Sequence, residues 1–212
     1  MKIIIDNYPD DKVEYFESDN NPEDPDSGRH SMAFTKELYI EREDFMEVPV
    51  KGYHRLYPGN EIRLKGAYYV KAVSIDKDEC GNIIAVHCTY DPESRGGETP
   101  DGRKVKGTSH WVSAKYNIKA EVRQYDKLFK AEIPGAATGN YLDDINPDSL
   151  IVLKDSVIEE EAKNAKVGDY LQFVRNGYYC VDSKDSTPDH MVFNRTVTLK
   201  DSWSKMKAKM GL

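Results

Sequence analysis

Between residues 53 and 70 the chain reads "YHRLYPGNEIRLKGAYYV". His54, Arg55, Arg63 and Lys65 crowd into that stretch, with Tyr53, Tyr57, Tyr68 and Tyr69 among them. Such a set can do recognition chemistry. An arginine grips a guanine edge through two parallel hydrogen bonds. Cations two positions apart on an extended strand stand on one face, about 7 Å apart, which is comparable to the phosphate spacing of a single nucleic-acid strand. Tyrosine rings can stack on splayed bases. Barrel-core tyrosines and solvated strand faces would use the same residue types, so both readings stay open at this point.

The distribution of charge narrows the first reading. The whole chain carries a formal net charge of -7, which argues against nonspecific nucleic-acid binding through the entire surface. The acids gather in residues 1–48, as in "EYFESDNNPEDPDSG". From 49 to 71 the only acid is Glu61, against Lys51, Arg55, Arg63, Lys65 and Lys71. A second basic excess spans 103–130 and includes Arg103, Lys104, Lys106, Lys115, Lys119, Arg123, Lys127 and Lys130. Basic faces on an acidic chain fit a specific, orientation-dependent polyanion partner.

Catalytic patterns are missing. There is no G-x-G-x-x-G, no phosphate loop ending G-K-[ST] and no G-x-S-x-G. Asp143-Asp144 sits in a polar turn, and His110 beside Trp111 has no partner identifiable in sequence. Cys80, Cys88 and Cys180 make no C-x-x-C pair, and the five histidines make no H-x-x-x-H or H-x-H pair, so no metal site is expected. An odd cysteine count without a dense framework fits reduced thiols in the cytosol. No apolar run approaches the roughly 20 residues of a membrane span, and "MKIIIDNYPDD" is too short in apolar character for a signal-peptide core.

The elements that must position these residues are mostly strands. "EIRLKGAYYVKAVSI" begins with Ile62 and Leu64 on one face and Arg63 and Lys65 on the other, and Gly66 can host a bulge. "IIAVHCTY" completes a hairpin in which Ile84, Val86 and Cys88 share a face opposite Ala85 and His87. "VRNGYYCV" carries Asn176-Gly177, a strong hairpin signal because both residues tolerate positive φ. "VFNRTVTL" alternates again. Helical signals are few: Ser156 with Glu159 three residues on forms a capping-box pattern, and "YLDDINPDSL" predicts one turn. Loops are expected at 18–31 and 91–103. No helix alternates regularly with the strands, so the expected fold is mostly β, two small antiparallel β-barrels over 1–115 and 116–212.

Seven segments then carry a resemblance. "RLYPGNEIRLKGAY", "CTYD", "DGRKVKGTSHWVSA", "RQYDKLF", "INPDSL", "QFVRNGYYCVDS" and "VFNRTVTLKDSW" occur in this order. As an ordered set, spanning about residues 2 to 203, they resemble the C-terminal anticodon-binding region of the class I glutaminyl-tRNA synthetases. The resemblance implies two β-barrels related to a ribosomal-protein barrel, clasping the anticodon loop of tRNA-Gln. It implies a catalytic domain upstream that uses ATP and Mg²⁺, a cytoplasmic location, and no cofactor or catalytic residue in this chain. Residue by residue, Gln172 and Arg175 match the pair that recognises the middle anticodon uridine. Arg55 matches the reader of the third base, a guanine, with His54 where well-known bacterial members have lysine. Arg63 and Lys65 match two cations near the first base, the second changed from arginine. The resemblance further implies that the 53–65 and 172–175 segments share one anticodon pocket. Two rivals remain at this stage: the anticodon-binding region of a eukaryotic-type glutamyl-tRNA synthetase, and a free-standing barrel for ribosomal RNA or carbohydrate.

Overall fold

The computed structural model describes residues 1–21 and 23–199. The "KDSW" end of the last quoted segment and "KMKAKMG" at 205–211 lie outside the described residues. The fold is mostly β, and the described residues contain 3-10 turns but no α-helix. Two compact units divide the described residues: 1–118 with 157–162, and 119–156 with 163–199.

The first unit contains β1 (Lys2–Ile5), β2 (Glu14–Asp19), β3 (Arg29–Phe34), β4 (Glu37–Tyr39), β5 (Glu61–Leu64), β6 (Tyr69–Lys77), β7 (Ile83–Asp91), β8 (Thr108–Ser109) and β9 (Val112–Ser113). Seven of them form one sheet in the order β8-β5-β6-β7-β1-β4-β9. Its two edge strands are separated in sequence by His110 and Trp111 alone. Three residues of extended chain reach at most about 11 Å, whereas the outer strands of a flat seven-stranded sheet stand about 29 Å apart. The sheet therefore curls upon itself.

Its interior is filled by Ile3, Ile5, Leu38, Leu56, Ile62, Leu64, Val70, Val86, Cys88 and the fully buried Trp111. Trp111 packs edge-on against Phe16 and Phe34, which come from the separate β2–β3 hairpin. Such aromatic pairs contribute about 0.5–1.5 kcal/mol each beyond the area they bury. The hairpin lies where the sequence predicts part of a loop. β2 is acidic and β3 begins with Arg29 and His30, and apart from Phe16 and Phe34 their side chains are exposed or only partly buried.

Local corrections have clear causes. Gly66 sits in a tight turn, with the Ala67 N–H donating to the Leu64 carbonyl and a φ of 70°, so it serves the turn and not a bulge. The β6–β7 hairpin forms as expected, yet Ile84 is 55% exposed while Ala85 is buried. Pairing jumps from Asp76–Ala85 to Lys77–Ile83, which leaves Ile84 in a bulge.

The second unit is built on β10 (Asn117–Tyr125), β11 (Leu150–Glu159), β12 (Tyr170–Phe173), β13 (Gly177–Val181) and β14 (Met191–Thr198), in the order β11-β10-β14-β13-β12. Val122, Tyr179, Val181, Val192 and Phe193 are buried, and Phe173 stacks on Tyr179 at 4.3 Å. One turn forms at Tyr141–Asp144, capped by Asn140, whose side chain accepts from the Leu142 N–H. The capping box at Ser156 does not form: Ser156 lies inside β11, and a 3-10 turn begins only at Glu160. The Glu159 carboxylate is instead held by His30 and His110 of the first unit, at 2.9 and 2.5 Å.

That clamp is charged. The other ring nitrogen of His30 faces the Asn20 side-chain oxygen at 2.7 Å, so both nitrogens meet acceptors and the imidazolium is the form that satisfies them. The Glu159 hydrogen bond raises the His30 pKa above 6.5, against burial and the nearby Lys65. For Glu159, burial pushes the carboxyl up, but the two histidine hydrogen bonds outweigh it and hold the pKa at about 2. The signs give a window. The histidine contribution is complete below pH 6.5 and fades as pH rises through the raised value. The carboxylate contribution is complete above pH 4.5 and fades as pH falls toward 2. Thermal unfolding of the wild type against Glu159→Gln should differ most between pH 4.5 and 6.5 and converge on either side; an offset that stays the same below pH 4.5 and above pH 6.5 would refute the clamp.

Candidate nucleic-acid interface

Arg55 sits on the loop that leads into β5. Its Nη1 donates to Asp44 Oδ1 at 2.8 Å, and the Asp44 side chain is completely buried. The backbone fixes the same contact: the Leu56 N–H donates to the Asp44 carbonyl at 2.9 Å, and the Met46 N–H to the Leu56 carbonyl at 3.0 Å. Asn60 Nδ2 donates to the Arg55 carbonyl at 2.8 Å, tying the loop to the start of β5. The guanidinium is thus held before any ligand arrives. His54 is exposed, and its carbonyl lies against Gly107, where an added Cβ would come within 1.9 Å of the oxygen. Glycine is required there by close backbone approach.

Arg63 and Lys65 follow the alternation read from the sequence: Ile62 and Leu64 point into the core, Arg63 is half-buried and Lys65 is exposed in the turn after β5. The Arg63 Nη2 donates to the Tyr69 hydroxyl at 3.0 Å, and that hydroxyl donates to the Gly97 carbonyl. The Arg63 side chain lies so close to Gly97 that an added Cβ would sit 3.0 Å from its Cδ. Arg63 and Arg103 each place a guanidinium about 5.4 and 5.3 Å from the centroid of the Tyr69 ring. Arg103 is neutralised by Glu61, Asp91 and Asp101. Glu61, the one acid of the basic stretch, is therefore engaged by Arg103.

The tyrosines of this stretch behave differently from the base-stacking expectation. Tyr53, Tyr68 and Tyr69 are 4, 3 and 2% exposed. Their hydroxyls donate to the Glu43 carbonyl, the Glu14 carboxylate and the Gly97 carbonyl. Only Tyr57, half-buried beside Tyr53, keeps part of its ring at the surface. These rings build the scaffold of the arginines and do not present free faces. Sequence missed Asp44 and Arg103 as supports because each partner lies many positions away.

Gln172 and Arg175 belong to the other unit. Gln172 is exposed on the edge strand β12, directly opposite Tyr178. Arg175 lies in the turn between β12 and β13, where the Asn176 N–H donates to the Phe173 carbonyl at 2.9 Å. It is the only described non-glycine residue with positive φ, at 69°. The sequence places positive φ at Asn176-Gly177; it occurs at Gly177 and, just before the pair, at Arg175, and not at Asn176. Gly177 is needed for another reason: a Cβ there would lie 2.5 Å from the Val197 carbonyl oxygen. Arginine in the left-handed region costs about 1–3 kcal/mol, and such strain gathers at binding sites.

Two stability outcomes test these supports. Arg55→Ala removes a charge partner from the buried Asp44 carboxylate and should destabilise the first unit by about 3 kcal/mol in denaturant unfolding. An unchanged midpoint would mean that the pair is not structural. Arg175→Gly should raise the stability of the second unit by about 1 kcal/mol, because glycine accepts φ of 69° without strain. A fall in stability would show that its side-chain contacts outweigh the strain.

Comparison with known proteins places this geometry in a family. Residues 1–91 and 108–182 match two family models, both described as tRNA synthetases class I (E and Q), anti-codon binding domain. A glutamine–tRNA ligase of Clostridioides difficile is 48% identical over 98% of the chain and 37% of the relative. Glutamine–tRNA ligases of Bradyrhizobium diazoefficiens and Pseudomonas putida are 46% and 48% identical over 99% and 96% of the chain. The chain spans 36–37% of the length of these relatives. On these matches, the chain belongs to the family of anticodon-binding domains of the class I E and Q tRNA synthetases.

Proposed function

We propose that this chain is the anticodon-recognition region of a glutamine–tRNA ligase and binds the anticodon loop of tRNA-Gln. The observation that carries the reading is the 46–48% identity to glutamine–tRNA ligases across nearly the whole chain. "QFVR" at 172–175 favours the glutamine enzyme over the glutamyl one, and family membership sets aside the free-standing barrel. The parent enzyme would activate glutamine with ATP and Mg²⁺ in a separate catalytic domain. No group of three or more His, Cys, Asp or Glu side chains that could hold a metal occurs among the described residues. The chain's part is identity and positioning, within a cytoplasmic enzyme.

In this reading each side chain has a distinct task. The Gln172 amide offers a donor and an acceptor to the edge of the middle uridine. Arg175 adds a carbonyl or phosphate contact from the turn. Arg55, fixed by Asp44, meets the guanine at the third position. Arg63, held against Tyr69, and exposed Lys65 serve the first position, with Lys65 acting mainly as a point charge. His54 lies at the edge of the same cluster.

Competition binding of the purified chain to tRNA-Gln and to single-base anticodon variants tests the assignment. Gln172→Ala should relax discrimination at the middle base by about 1–3 kcal/mol. Arg55→Lys keeps a charge beside Asp44 but loses the bidentate grip, and should relax discrimination at the third base. Lys65→Ala should weaken every tRNA alike and reduce the salt slope by about 1. Equal losses across all variants for Gln172→Ala would remove it as a base reader. Incubated with ATP, glutamine and tRNA-Gln, the chain alone should give no charged product; charging above a blank would overturn the division of labour.

A further inference from the structure

The outward face of the β12–β13 hairpin carries exposed aromatic rings. Along β12, Tyr170 and Gln172 are exposed while Leu171 and Phe173 turn toward the core. Along β13, Tyr178 is exposed between buried Gly177 and Tyr179. The register sets Tyr178 directly opposite Gln172, and Tyr170 opposite Cys180. Tyr170 is 72% and Tyr178 42% exposed, and neither ring makes an aromatic or cation–π contact among the described residues. Directly opposed side chains on one face of a sheet stand about 5 Å apart at Cβ, and diagonal ones about 7–8 Å. Gln172 is therefore flanked by two outward rings, with Arg175 in the turn beyond.

We infer that Tyr178 is a base-stacking platform for the nucleotide whose edge Gln172 reads, with Tyr170 a second ring beside it. The inference rests on the anticodon reading proposed above. A base set against this face with its edge on the Gln172 amide presents its π-face to Tyr178. A nucleobase suits the site because it needs both a flat apolar surface and an amide donor and acceptor, and the hairpin supplies them as cross-strand neighbours. A cation, Arg175, follows two residues after the strand and can meet a phosphate. Stacking of this kind is thus assigned to the second unit, in place of Tyr53, Tyr68 and Tyr69, whose rings are buried.

The test uses the purified chain and a synthetic anticodon stem–loop RNA with the tRNA-Gln anticodon, alongside the same RNA abasic at the middle anticodon position. Tyr178→Phe should bind the intact RNA as the wild type does. Tyr178→Leu, of similar apolar character but without a π-face, should lose about 10-fold in affinity for intact RNA and almost nothing for the abasic RNA. Wild-type affinity of Tyr178→Leu, or an equal loss on both RNAs, would overturn the platform. Gln172→Ala on the same RNAs separates the two levels. If its loss vanishes on the abasic RNA while Tyr178→Leu binds normally, the platform alone fails. If neither variant shows a base-dependent loss, the anticodon reading fails with it.

Discussion

The closure of the seven-stranded sheet through His110 and Trp111 is the constraint on which the first unit depends. Two residues join strands at opposite edges, so the sheet has no freedom to lie flat. Trp111 enters the core thus formed and donates from its indole nitrogen to the Lys65 carbonyl at 3.0 Å. The same linker places His110 on Glu159. A single short connection therefore fixes the barrel, the backbone at the end of β5 where the cations emerge, and the attachment of the returning segment 157–162.

Around this frame, the proposed base readers rest on buried supports. Lys65 is exposed, Arg63 is half-buried and Arg55 is itself paired with buried Asp44, and the residues that aim the two arginines are buried. Asp44 aims Arg55, while Tyr69, walled by Gly97 and flanked by Arg103, aims Arg63. A guanidinium fixed in advance loses less freedom when it meets its partner than a lysine on a free stem, which is a physical reason for arginine at these positions. The local charge follows the same logic: Glu61 is engaged by Arg103, so the acid nearest in sequence does not neutralise the neighbouring cations.

Much of this was legible in the sequence. Alternation at Ile62 and Leu64 against Arg63 and Lys65 gave the two faces of β5, and the β6–β7 and β12–β13 hairpins were readable from their turns. What escaped depended on distant partners. Glu159 looked like half of a capping box because nothing local shows that His30 and His110 will capture it. The tyrosines between the cations looked available because burial is decided by the curl of a sheet whose strands lie far apart in the chain. Ile84 fitted the alternating pattern until a bulge shifted it outward. The matching of base readers came from ordered segments of a known family, since exposure and charge alone do not say which base a glutamine reads.

The segment 157–162 also sets a timetable for biosynthesis. His30 and His110 belong to the part of the first unit that ends at Ile118, but their shared carboxylate is encoded roughly forty residues later. At a synthesis rate of about 5–20 residues per second, the barrel emerges some 2–8 s before Glu159. During that interval the two imidazoles lack the Glu159 carboxylate, and the barrel must persist on its hydrophobic core. The last piece of the first unit is thus delivered only after most of β10 and the following loop have left the ribosome, which couples completion of one unit to the start of the next.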